Sequence, residues 1–95
     1  MKLWHVSQTA ESGYDTYSDL VVAAETELEA KSTHPSGHDL DPDTGQFYTT
    51  NRDGSRYISS YPSWALNISQ VDAKLIGTAE PGVEAGIICE SFHAG

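Results

Sequence analysis

Cysteine is nearly absent from this sequence, and its scarcity sets the first constraint. Cys89 is the only thiol among 95 residues, so neither an internal disulfide nor a multi-thiolate zinc site can form, and stability has to come from packing. Basic residues are also few. Five lysines and arginines stand against fourteen aspartates and glutamates, for a net charge of −9. A field of that sign repels nucleic-acid phosphates and anionic membranes, while it speeds encounter with a basic protein surface. Long apolar runs are missing too. The longest uncharged one, Leu20 to Ala24, is far too short to cross a bilayer, and Met1 to Ala10 shows neither the apolar core nor the cleavage site of a secretory signal. A cytoplasmic protein is therefore expected. No nucleophile elbow surrounds any serine, and neither Gly82 nor Gly86 leads into a helix that could cradle a phosphate. Carboxylate pairs say little where acids are this abundant.

What is present describes a small folded domain. Apolar residues make up 38% and charged residues 20%, a balance of folded rather than disordered chains. The length leaves no room for a second core, so residues 1–95 are expected to form a single domain. Lys2 to Gln8 alternates, with Trp4 and Val6 on one face and Leu3 and His5 on the other, and reads as a strand. Thr16 to Ala24 reads as a second strand, apolar on both faces at its end as a central strand would be, and paired with the first across a turn at Glu11 to Asp15. A helix is predicted from Thr26, whose hydroxyl caps the first turn with Glu29 three residues on, and it should end near His34 at Pro35, packing through Leu28 and Ala30. Residues 36–63 lose the pattern and form a variable excursion. Within it, Gln46 to Thr50 and Arg56 to Ser59 suggest a hairpin about Asn51 to Ser55. Gln70 to Ala79 and Gly86 to Phe92 complete the strands, separated by a Pro81-Gly82 turn and preceded by an extended Trp64 to Ile68. The predicted class is α+β, an antiparallel sheet with one short helix packed on it, in the order ββα, excursion, ββ.

Acidity is concentrated. Residues 11–43 hold nine acids against Lys31 alone. Within them, Glu25, Glu27, Glu29, Asp39, Asp41 and Asp43 are the candidate partner-binding residues. Asp39, Asp41 and Asp43 imitate the start of a calcium loop, but the sixth place is Thr44 and glycine comes seventh, so an Asp-Pro-Asp-Thr-Gly turn explains them better. His34 and His38 have a helical metal spacing that Pro35 and Gly37 interrupt. No metal or cofactor is predicted. Cys89, within Ile87-Ile88-Cys89, reads as a buried inert thiol. The Asn67-Ile68-Ser69 glycosylation triplet is set aside for want of a secretory signal. Tyr14, Tyr17, Tyr48, Tyr57, Tyr61 and Trp64 sit near turns, where rings anchor interfaces or close a small core, and Trp4 and Trp64 are the expected core tryptophans.

Two stretches, GYDTYSDLVVAAETELEAKSTHPSG and VDAKLIGTAEPGVEAGIICESFHAG, resemble a group of small, largely uncharacterised bacteriophage and bacterial proteins. The resemblance covers roughly half of the chain, in the Gly-Tyr-Asp-Thr-Tyr turn, the strand running into an acidic helix that ends at His34-Pro35, and the closing Ser91 to Gly95. It attaches no catalytic role to any position. A phage setting implies an accessory factor such as an inhibitor of host defence, including the anti-CRISPR proteins that occupy a basic groove meant for nucleic acid. The first expectation is thus a non-enzymatic binding protein whose carboxylates dock on a basic surface of a host protein, with no direct nucleic-acid or membrane contact. Two alternatives stay open. One is a nucleotide-sequestering protein using aromatic rings with Arg52, Arg56 and Lys74; the other is a metal-dependent enzyme using His34, His38 and nearby aspartates. Oligomeric state is not fixed by the sequence.

Overall fold

The computed structural model describes residues 1–12, 15–58 and 62–93. Tyr14, Tyr61, Ser59, Ala94 and Gly95, with part of the Glu11 to Asp15 turn, lie outside the described residues. β1 (Lys2–Gln8) and β2 (Thr16–Ala24) have the predicted bounds and pair antiparallel from Lys2↔Ala24 to Ser7↔Asp19. Alternation decides their faces: Trp4, Val6 and Gln8 of β1 and Leu20, Val22 and Ala24 of β2 are buried. The hairpin is closed by one amide. Gln8, only 4% exposed, donates from Nε2 to the carbonyls of Tyr17 (2.7 Å) and Glu11 (2.8 Å) while Oε1 accepts the Glu11 N–H (2.8 Å). A buried side-chain amide is thereby satisfied by the backbone that it organises.

β6 (Val71–Thr78) adds to the free edge of β1 and β7 (Gly86–His93) to that of β2, so the sheet runs β6-β1-β2-β7. β2 is internal, which is why its apolar residues occupy both faces. The link between the outer strands turns at Pro81-Gly82, where the Val83 N–H donates to the Glu80 carbonyl and Gly82 has φ +94°. Both outer strands are irregular: pairing shifts between Leu3 and Trp4 on one side and between Val21 and Val22 on the other.

α1 (Glu27–Lys31) packs on this sheet, capped by Thr26 as predicted, with the Thr26 hydroxyl accepting the Glu29 N–H at 3.2 Å. It differs from expectation in two respects. The helix stops at Lys31, short of Pro35, because the Ser32 hydroxyl donates to the Leu28 carbonyl (2.6 Å) and the Thr33 hydroxyl to that of Glu29 (3.0 Å), satisfying the last turn early. Only Ala30 is buried, whereas Leu28 is 65% exposed. In so short a helix, burying Ala30 turns its neighbour two places back toward solvent.

The excursion carries its own sheet, β3 (Asp39–Leu40), β4 (Phe47–Thr50) and β5 (Arg56–Tyr57), in that order. β4 and β5 are the predicted hairpin. Asn67 caps a single 3-10 turn, Ile68–Gln70, and bridges to Gln46. Its amide accepts the Ser69 N–H and donates to the Thr44 carbonyl, giving this residue a structural role. Phe47, Trp64 and Ala65 bury themselves with Trp4, Val6, Leu20, Val22 and Val71, so both sheets share one core. Trp4 and Trp64, at 7% and 0% exposed, are core residues as predicted.

Candidate functional site

The helix start gathers carboxylates for a local reason. Glu27 and Glu29 occupy the first turn, where unpaired N–H groups and the helix dipole favour negative charge, and Glu25 precedes the cap. All three are exposed. Glu29 accepts the Glu25 N–H at 3.3 Å, and a Glu25 oxygen lies 4.0 Å from the amino terminus of Met1. These solvent-facing contacts leave the carboxylates accessible, and Lys31 at the far end is the only base on the helix.

The aspartates form a separate group on the small sheet. Asp39 is exposed opposite Tyr48, and Asp43 is exposed in the following turn. Asp41 is half-buried and structurally engaged: Oδ1 accepts the Asp43 N–H (2.9 Å), Oδ2 meets Arg56 Nη1 (3.5 Å), and its carbonyl accepts the Gly45 N–H (2.8 Å). This is the predicted Asp-Pro-Asp-Thr-Gly turn. Among the described residues, no three of His, Cys, Asp and Glu come together to hold a metal ion.

His34 and His38 meet as a stacked pair. Their ring centroids are 4.2 Å apart at 11°, around a turn in which the Gly37 N–H donates to the His34 carbonyl and Gly37 has φ +77°. His34 is buried against the edge of Phe47, and its Nδ1 accepts the Ser36 N–H at 3.0 Å. Burial, aided by the charge of a neighbouring His38, lowers the His34 pKa to about 4. The imidazole is neutral near pH 7.

Two arrangements were not visible in the sequence. On the small sheet, the Arg56 guanidinium lies 4.2 Å over the Tyr48 ring, and Asp41, Gln46, Tyr57 and Ile58 join them around an open hollow of about 160 Å³. Lys74, the third base of the nucleotide alternative, belongs to the main sheet opposite His5. On the outer face of the main sheet, His5 Nε2 lies 3.0 Å from Asp19 Oδ1, and the Ser18 hydroxyl donates to Asp19 Oδ2. Cys89 borders the same shallow surface and is exposed, which corrects the expectation of a buried thiol, because β7 is an edge strand. It pairs with Val21, which in turn pairs with His5, so a whole strand separates thiol from imidazole. Such spacing is not the adjacent pair that thiolate activation uses.

The chain matches no family model, no curated protein and no solved structure. No helix among the described residues is long and apolar enough to cross a membrane.

Proposed function

We propose that this is a non-enzymatic acidic binding protein that docks on a basic protein surface, with Glu25, Glu27 and Glu29 at the centre of the contact and Asp39 and Asp43 as a second, separate acidic group. The observation that carries the reading is the exposed helix start, where three carboxylates are crowded into five residues with one base at the other end. Carboxylates so placed can stand in for phosphates before a groove built to hold nucleic acid. In this reading the protein is a phage or prophage accessory factor that inhibits a host nucleic-acid-handling defence complex, similar in strategy to anti-CRISPR proteins. Asp41 serves this reading less, since both of its oxygens are engaged within the fold.

The test is a pull-down from bacterial lysate to identify the partner, followed by titration at low salt. Glu25→Lys, Glu27→Lys and Glu29→Lys together should abolish binding, and the corresponding Gln triple variant should weaken it. A thermal melt checks that each variant is folded, because Glu29 also supports the cap. Unchanged affinity in a folded Lys variant excludes this patch.

One observation favours a second reading. The Arg56–Tyr48 stack beside Tyr57 and Gln46 presents a cation and aromatic surface to a hollow, as a small planar anion would require. Calorimetry against a nucleotide panel, with Arg56→Ala as control, separates it from protein docking.

A further inference from the structure

We propose that β6 is a self-association edge, through which two copies of this chain join their main sheets by antiparallel β6–β6 pairing about a two-fold axis at Ala73. As an edge strand β6 leaves Asp72, Lys74 and Gly77 exposed, with Leu75 and Ile76 at 52% and 51%, while Val71 is buried in the core and α1 packs against the strand. An edge strand keeps free backbone N–H and C=O groups at every second residue, and natural edges are usually blunted by bulges, prolines or repelling charges. Over Val71 to Leu75, which pair with Gln8 to Trp4 without interruption, β6 has no proline and no bulge, the register shift falling just beyond Leu75; its two charges, Asp72 and Lys74, are of opposite sign.

The charges of this segment are self-complementary. In a register centred on Ala73, Asp72 stands opposite Lys74 of the second copy, and by symmetry Lys74 stands opposite its Asp72. Val71 and Leu75 are likewise matched in both directions. Asp72 and Lys74 share the face of Ser7 and His5, whereas Ala73 and Leu75 share that of Val6 and Trp4. Ion pairs therefore align on one face and apolar side chains on the other, the arrangement that stabilises cross-strand neighbours.

The opposite margin lacks these properties. β7 shifts register against β2 between Tyr17 and Asp19 and again between Val21 and Val22, so its longest unbroken run is Cys89 to Ser91, and Glu90 is the one charged residue from Gly86 to Ser91. Like net charge on the two copies opposes their approach. At about 0.15 M salt, however, the Debye length of about 8 Å screens distant carboxylates while sparing pairs in contact.

Sedimentation equilibrium of the whole chain at about 0.15 M salt, from micromolar to millimolar protein, tests the proposal. The unaltered protein should dimerise. Lys74→Asp, which sets acid against acid at both symmetric positions, should weaken dimerisation at least about tenfold, and D72K combined with K74D should restore it. Hydrogen exchange on the unaltered protein supplies a measurement that needs no variant: amides within 71–75 should gain protection as concentration rises. A protein that stays monomeric throughout overturns the proposal, as does dimerisation insensitive to Lys74→Asp, failure of the double swap to recover, or protection that appears elsewhere.

Discussion

The two sheets are built on different principles. The main sheet is made of strands seven to nine residues long, with β1 and β2 paired in unbroken register over alternating side chains and the outer strands added with local register shifts. The small sheet has strands of two, four and two residues, mostly polar or exposed, held by turns and by contacts distant in sequence. Gln46 bridges to Asn67, Phe47 donates to the Leu66 carbonyl, and Ile68 donates to that of Gly45. Hydrophobic periodicity specifies the first sheet, and specific hydrogen bonds with one aromatic anchor specify the second.

Trp64 offers the strongest way to break that contrast, since it is wholly buried in the core common to both sheets. Trp64→Ala should lower stability by about 3–5 kcal/mol and unfold both sheets together in a urea titration. Separate transitions would mean that the small sheet is an independent unit. Acid comes next. Between pH 6.5 and about 4 the unfolded chain accepts a proton on His34 that the folded chain refuses, so stability falls as pH falls through this window and levels off below it. The loss attributable to this group is about 3 kcal/mol, and denaturation of His34→Phe across that range should show it removed. Within the main sheet, Gln8→Ala takes away three hydrogen bonds, two to Glu11 in the β1–β2 connection and one to Tyr17 in β2, and should destabilise by about 2 kcal/mol. In the small sheet, Gly45 has φ +76°, and a Cβ there would come within 3.0 Å of Asn67 Oδ1 and Ile68 Cγ2. Gly45→Ala should cost about 1–2 kcal/mol, with amide exchange quickening around Gln46 and Ile68 before it does in β1.

How far the fold could be read from sequence follows the same division. β1 and β2 were legible to the residue because alternation and the doubly apolar Leu20 to Ala24 segment have one economical solution. Thr26 and Glu29 announced the helix start through local chemistry. Its early end was obscured, because Ser32 and Thr33 satisfy the final carbonyls through their hydroxyls while Pro35 draws attention as the stop. The apolar neighbours of Cys89 suggest burial, yet its exposure depends on β7 being an edge, which is a property of strand order. β3 and the Tyr48–Arg56 stack depend on partners far along the chain, Arg56 meeting Asp41 fifteen positions away. At the candidate site, the acidity and exposure of the helix start were legible. The internal engagement of Asp41 was not, because a carboxylate in a turn looks the same in sequence whether it faces water or a guanidinium.

Strand order also bears on how the molecule is made. During synthesis the ribosome releases the β1–β2 hairpin first, but the strands that flank it on both sides are encoded beyond position 70. The nascent centre of the sheet must therefore wait with two bare margins until those later segments emerge, which makes this interval the period of greatest exposure to mispairing with neighbouring chains.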